Sequence, residues 1–218
     1  MINTYQSRVW NNYAQLHSSV STSTQLALFY DAIKPLYGSV VDCGCGSAKI
    51  APLLESIDAV THYTGLDASP SMVEVAGSVI ARSQLAQAHI EHTLIEDHRG
   101  LYDSAISIHS YYTWPEPIKV LRAIAAMLPI GGTFVLATPN PQLDMTALVN
   151  EARRELIDHP NFEEFVLLNQ QLASEFEANL DTLDQVLNNA RAAGFALVRA
   201  SQEHYRGGAN LLEFTRRE

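Results

Sequence analysis

The chain has 218 residues, of which 47% are hydrophobic and 17% charged, and its formal net charge is -10. This length suits one α/β domain with a full core and excludes two large domains. The acidic balance argues against a nucleic-acid partner, because phosphate binding requires a basic face, although a local basic patch would still allow it. Small neutral or cationic ligands are favoured instead.

The N-terminus and the cysteines bear on where the protein works. The first residues lack the basic and apolar regions of a signal peptide, and no apolar stretch approaches the ~20 residues of a membrane span. Cys43 and Cys45 are too close together to staple a secreted fold, and no partner pair stands at zinc-ligand spacing. We therefore expect a cytoplasmic protein with no membrane contact and no metal.

Apolar periodicity predicts the secondary structure in chain order. Residues 1–36 favour helices, and five strands follow at 39–43, 63–67, 89–95, 104–109 and 133–138, with helices after the first, second and fourth. Ser69 is a natural N-cap, with Pro70 at the first helical position. Helices are then expected over 143–171 and 182–193, and two strands over 196–200 and 210–215. This alternation indicates a doubly wound, mostly parallel sheet.

A glycine turn follows the first predicted strand. Ligands of such sheets bind beyond the carboxyl ends of the strands, and Gly44 and Gly46 would let the backbone approach one closely. A dinucleotide fingerprint needs a third glycine where this chain has Lys49. Asp42, just before the glycines, would oppose a pyrophosphate and suit a cationic ligand. A tight strand-to-helix turn without a ligand is the alternative.

Asp67 ends the second predicted strand. Its carboxylate can accept two hydrogen bonds from a ribose diol, which is the role of the acid at this place in nucleotide-binding sheets. The alternative is an acid stabilised by the dipole of the helix that begins after Ser69.

Three segments resemble one known family. Residues 40–46 (VVDCGCG) are similar to the first motif of class I S-adenosylmethionine-dependent methyltransferases. Residues 65–69 (GLDAS) resemble their ribose-binding motif, and residues 128–132 (LPIGG) resemble the turn before their fifth strand. The resemblance implies a Rossmann-like, seven-stranded sheet with an antiparallel C-terminal strand and a helical cap. Ala48 departs from the family, many of whose members have a third glycine there.

The resemblance also implies a cofactor and the residues that hold it. S-adenosyl-L-methionine is the expected cofactor and S-adenosyl-L-homocysteine the product. In the third-strand loop, Glu96 or Asp97 would approach the adenine, with a solvated acidic loop as the alternative. The residues expected to bind the cofactor are Asp42, Gly44, Cys45, Gly46, Asp67, Ala68, Met72, Glu96, Asp97 and His109.

By the same analogy, the methyl group faces the end of the fourth strand. His109 is the candidate general base, because its usual pKa lies near working pH, but it is equally a candidate for a buried structural histidine. A base is not obligatory, since alignment alone can promote the transfer. The rings of Tyr111, Tyr112 and Trp114 would stack on a planar acceptor or approach a methylated cation; helix-to-sheet packing is the alternative.

Two helical segments lie outside the common core and are expected to close over the site. Tyr5, Trp10 and Tyr13 belong to the first and would contact the acceptor, or merely pack as a helix stripe. We expect a single domain over 1–218. Its parts are cap helices at 1–36, a cofactor-binding core at 37–140, a helical insertion shaping the acceptor pocket at 141–180, and a C-terminal helix and strand pair at 181–218.

The sequence thus predicts methyl transfer to an oxygen or nitrogen of a small molecule, by a monomer or a homodimer. Residues 109–112 (HSYY) stand where methyltransferases of nucleic acid bases and glutamine side chains carry an (Asp/Asn)-Pro-Pro-Tyr-like loop, so those substrates are disfavoured. Two alternatives stay open. One is a non-catalytic protein that keeps the fold and binds the cofactor or a partner, and the other is an NAD(P)-dependent oxidoreductase.

Overall fold

The computed structural model describes residues 13–85, 87–176 and 179–217, which contain a seven-stranded sheet. The strands are β1 (Gly38–Cys43), β2 (Val60–Asp67), β3 (Ala88–His92), β4 (Ser104–Ile108), β5 (Thr133–Pro139), β6 (Phe195–Ser201) and β7 (Ala209–Arg216). Their order is β3-β2-β1-β4-β5-β7-β6. All pairs from β3 to β5 are parallel, while β7 runs antiparallel to both β5 and β6. The predicted fold class is confirmed.

The strand order reverses at β1, which lies between β2 and β4. In register, Asp42 stands beside Gly65 on one side and Ile106 on the other. Parallel sheets open a crevice where connections leave in opposite directions, so the carboxyl end of β1 is the expected ligand position. Residues 40–43 of β1 are buried, as are 134–139 of β5, in agreement with a sheet covered on both faces.

Eight α-helical segments surround the sheet in the described ranges. They are α1 (13–19), α2 (Ser23–Ile33), α3 (Ala51–Leu54), α4 (Pro70–Ile80), α5 (Pro117–Ala126), α6 (Met145–Glu155), α7 (Phe162–Phe176) and α8 (Leu183–Ala192). The Ser69 side chain accepts a hydrogen bond from the Met72 amide and caps α4, as predicted. None of these segments is both long and apolar enough to cross a membrane.

Some predicted boundaries were wrong. The helix expected over 143–171 is two helices, because Pro160 lacks an N–H and disfavours helical backbone before it. Residues 1–36 were predicted to form helices; their described part holds α1 and α2, and Thr22 caps the start of α2. β3 ends at His92 instead of residue 95, because its neighbour β2 ends at Asp67, the residue paired with His92.

Three clusters of buried side chains hold the layers together. One joins the sheet to α5 and α8, and another joins its opposite face to α2, α3 and α4. The third, which includes Tyr13, Met72, Ala152, Phe162 and Phe165, packs α1, α6 and α7 against α4. Helices α1, α6 and α7 therefore pack on the sheet through α4, the helix that follows Asp67, whereas α2 contacts the sheet directly. These four helices, α1, α2, α6 and α7, are called the cap below.

Candidate functional site

A cleft of about 720 Å³ opens where β1, β2 and β4 end and runs beneath α1, α6 and α7. Its strand-end side carries the acids Asp42, Asp67 and Glu96. The cap side is mainly apolar and is lined by Leu148, Val149, Ala152, Phe162, Phe165 and Val166. A concave, largely apolar space with a few convergent polar groups is typical of a small-molecule site.

The glycine turn after β1 forms the floor of the cleft. Gly44 and Gly46 have φ values of +78° and +54°, in the left-handed region that side chains disfavour. A Cβ on Gly44 would stand 2.2 Å from the Ser110 hydroxyl, so the position also lacks space. Ala48, the departure from the family pattern, is buried with φ of +57°, which costs about 1 to 2 kcal/mol.

Asp42 is a buried carboxylate at the end of β1. Its Oδ2 accepts a hydrogen bond of 2.8 Å from the Tyr63 hydroxyl. Burial raises its pKa to about 7, the charge of Asp67 adds to the rise, and the Tyr63 bond opposes it. A cation bound in the cleft would return this group to its charged form, because an opposite charge favours ionisation.

Asp67 closes the glycine turn against the start of α4. Its Oδ2 accepts from the Gly46 amide and its Oδ1 from the Ser69 amide, both at 2.8 Å. Burial raises the pKa of Asp67, and these amide bonds counteract the rise. Each carboxylate oxygen can accept a second hydrogen bond, so a diol can still be bound. The ribose contact stays a prediction, and the bond to Ser69 shows that Asp67 also serves the helix start.

The two acids expected near the adenine both lie in the loop after β3, but they occupy different positions. Glu96 lines the cleft, with one carboxylate oxygen 4.0 Å from Lys119 Nζ. Asp97 is exposed and lies outside the cleft lining, so its assignment is not supported by its position. The other expected cofactor residues, Cys45, Ala68 and Met72, all line the cleft.

His109 follows β4 with φ of +57° and lines the cleft. Its Nε2 lies 2.8 Å from the Tyr205 hydroxyl, and the two rings stack with centroids 5.3 Å apart. Burial and the nearby charge of Lys49 lower its pKa to about 4. The imidazole is therefore neutral near pH 7 and a weaker base than its usual pKa indicates.

The aromatic residues after β4 separate into two groups. Tyr112 and Trp114 line the cleft, and Trp114 Nε1 donates to the Ser110 hydroxyl at 2.9 Å. Tyr111 was predicted to contact the acceptor, but it is 1% exposed and lies outside the cleft lining, and its hydroxyl donates to Asp181 at 2.8 Å. The short 3-10 helix Tyr111–Thr113 turns successive side chains apart, which directs Tyr111 into the core.

The cap places one of its three predicted aromatic residues in the cleft wall. The Tyr13 hydroxyl donates to Asn169 Oδ1 at 2.8 Å, and its ring stacks on Phe165 at 5.7 Å. Tyr5 and Trp10 lie outside the described residues. Tyr13 therefore joins α1 to α7 above the glycine turn.

Three cleft residues had no predicted role. His17 of α1 has its Nδ1 2.8 Å from the Ser47 hydroxyl, and its pKa is lowered, first by burial. Lys49 follows the glycine turn, so its position was a usable signal. Tyr205 lies between β6 and β7, and its contact with His109 spans 96 residues, which no local pattern reveals.

The turn that carries Tyr205 also joins other parts of the molecule. His204 Nε2 lies 3.1 Å from Asp31 of α2, and Arg206 Nη1 lies 2.5 Å from Glu151 of α6. Both Tyr205 and Arg206 have positive φ, at +52° and +57°. Three successive residues of this turn thus contact α2, the cleft and α6.

Comparison with known proteins identifies the family. Residues 14–199 match the family described as a methyltransferase domain, and the chain therefore belongs to that family. It is 32% identical over 110 residues to the ubiquinone biosynthesis O-methyltransferase of Vibrio vulnificus, covering 48% of this chain and 46% of the relative. The Xanthomonas campestris protein of the same name is 27% identical over 104 residues, covering 46% and 43%. The match spans less than half the length of these relatives.

Solved structures share the fold at lower identity. Mycolic acid cyclopropane synthase CmaA1, complexed with SAH and CTAB, superposes with a TM-score of 0.65 and 16% identity, covering 88% of this chain and 84% of that one. The [4+2]-cyclase SpnF gives 0.64 and 15%, covering 89% and 80%. Family membership decides against the oxidoreductase alternative, while the named reactions of these neighbours show that the fold alone does not identify an acceptor.

Proposed function

We propose that the protein transfers a methyl group from S-adenosyl-L-methionine to an oxygen or nitrogen of a small-molecule acceptor. The observation that carries the proposal is the meeting of the glycine turn, Asp42 and Asp67 at one end of a single cleft, in a chain of the methyltransferase domain family. The apolar cap side of this cleft supports a small acceptor. The net charge of -10 disfavours nucleic acid.

The residues of the cleft fit this cofactor. Gly44 and Gly46 add no side chain of their own to the floor, and Asp42 is a buried acid suited to a cationic ligand. We assign Asp67, at the end of β2, to the ribose and Glu96, which lines the cleft, to the adenine. When bound, the cofactor supplies an electrophilic methyl group on a positively charged sulfur. The protein's part is to bind, to orient and to exclude water, which can provide much of the acceleration.

His109 contributes less to proton removal than its residue type implies. With its pKa lowered to about 4, the neutral ring is a weak acceptor for the proton of an alcohol or amine. We assign it to positioning, because Tyr205 holds its Nε2 and stacks on its face. Tyr112 and Trp114 then form the aromatic side of the acceptor space.

Calorimetric titration with S-adenosyl-L-homocysteine tests the cofactor. We expect saturable binding, and a well-folded protein that shows none would refute the proposal. Incubation with methyl-labelled S-adenosylmethionine and a metabolite extract then tests turnover. Cofactor binding without transfer of label to any metabolite would favour the non-catalytic alternative.

A further inference from the structure

The cleft contains a buried cation on its cap side. Of the described residues that line the cleft, Lys49 alone has a lysine or arginine side chain. Its Nζ donates to the Val20 carbonyl and to Gln25 Oε1, the latter at 3.1 Å, and it lies 5.9 Å from the centre of the Phe165 ring. An ammonium has three N–H donors, so one remains for a ligand.

Among the side chains that the structure describes, no carboxylate forms an ion pair with Lys49. Both of its hydrogen-bond partners are neutral, and burial is the sole cause that lowers its pKa to about 7. Residues 1–12 contain no aspartate or glutamate. Burying an unpaired ammonium is costly, which makes a bound anion the natural complement.

The other titratable groups of the cleft include two histidines near Lys49 and three acids. Burial is the main cause that lowers the pKa values of His17, on α1, and His109, after β4, and the charge of Lys49 lowers both further, so the three groups lie close to one another. The cleft acids Asp42, Asp67 and Glu96 belong to the strand-end side. The cleft is therefore divided, with acids on one side and a cation on the other.

The elements around the Lys49 ammonium indicate that it belongs to the side of the cleft where we expect the acceptor. Val20 links α1 to α2, Gln25 lies on α2 and Phe165 on α7, so the elements around Nζ are those of the cap. The same side of the cleft is lined by aliphatic and aromatic side chains of α6 and α7. A ligand that fills this side is mostly apolar and ends in a negative group.

We propose that Lys49, with His17 beside it, forms a subsite for the carboxylate of an otherwise apolar acceptor. This inference rests on the proposed function and narrows its substrate class to apolar carboxylic acids. A neutral analogue of the same shape would leave the ammonium buried without a counter-charge, so it binds more weakly.

Matched acids and amides test the subsite. Octanoate is compared with octanamide, and phenylacetate with phenylacetamide, by titration into the protein with and without saturating S-adenosyl-L-homocysteine. We expect each acid to bind about tenfold more tightly than its amide, a preference that the Lys49→Met variant loses and the charge-preserving Lys49→Arg variant largely keeps. Affinity for S-adenosyl-L-homocysteine should stay within about twofold in all three proteins.

The outcomes separate the two proposals. Equal binding of acid and amide to the unaltered protein, or no detectable binding of either, would overturn the subsite. A Lys49→Met variant that loses affinity for S-adenosyl-L-homocysteine would also overturn it, by placing the lysine on the cofactor's own carboxylate. Absence of S-adenosyl-L-homocysteine binding to the unaltered protein counts against the proposed function instead. Thermal unfolding of each variant shows that it is folded.

Discussion

Replacing Asp42 with asparagine should stabilise the protein while weakening its hold on the cofactor. Asparagine keeps an oxygen that accepts the Tyr63 hydrogen bond but carries no charge. An acid whose pKa rises from 3.8 to about 7 on folding costs about 4 kcal/mol of stability at neutral pH. The new amide N–H groups lose water on burial, which offsets about 1 to 2 kcal/mol at every pH.

The pH dependence isolates the carboxylate. Between the two pKa values the folded state binds more protons than the unfolded state, so the stability of the unaltered protein falls as pH rises through this window. The advantage of the Asp42→Asn variant should therefore widen by about 2 to 3 kcal/mol between about pH 5 and about pH 8. Urea unfolding of both proteins at each pH measures this difference.

The same substitution should lower the affinity for the cofactor while it raises the stability. Loss of a buried charge facing a cationic ligand should weaken S-adenosylmethionine binding by about tenfold or more, measured by calorimetry. An advantage in stability that is equal at both pH values would show that Asp42 is not the titrating group. Unchanged cofactor affinity would remove it from the site.

Other substitutions test separate features. Gly44→Ala should destabilise the protein by several kcal/mol in urea unfolding and reduce cofactor binding, because the new Cβ would meet Ser110. The control Gly77→Ala, in open space within α4, should stabilise the protein by about 0.5 to 1 kcal/mol. Asp67→Ala should weaken cofactor binding by about 1 to 3 kcal/mol if two ribose bonds are lost, and an unchanged calorimetric affinity would refute that role. Lys49→Met should raise stability at neutral pH, because a pKa lowered to about 7 marks a destabilising ammonium. The gain should vanish as the pH rises above about 10.5, where the lysine becomes neutral in both states. A gain that persists at the higher pH would contradict the assignment.

Local sequence was sufficient for the strand-end side of the site. Asp42, Gly44, Gly46 and Asp67 each stand within a few residues of a strand end, so the alternation of strand and turn determines where they meet. The N-cap at Ser69 is equally local, because the side chain bonds an amide three residues ahead. These features required no knowledge of distant contacts.

The other side of the cleft depends on contacts between distant segments. Lys49 reaches Val20 and Gln25 only because the cap helices pack over the glycine turn. Tyr111 could not be separated from Tyr112 by sequence, because the short 3-10 helix changes the direction of adjacent side chains. The low pKa of His109 likewise follows from burial and from Lys49, which residue type does not reveal.

The turn between β6 and β7 is translated after the other parts of the site. His204, Tyr205 and Arg206 reach α2, His109 and α6, all of which are translated earlier. While a ribosome is still making β6, the nascent chain already has its glycine turn, Asp42 and Asp67. It still lacks the residues that support His109 and contact α2 and α6. The cleft can therefore reach its final form only after this late turn has emerged, whichever parts of the sheet fold first.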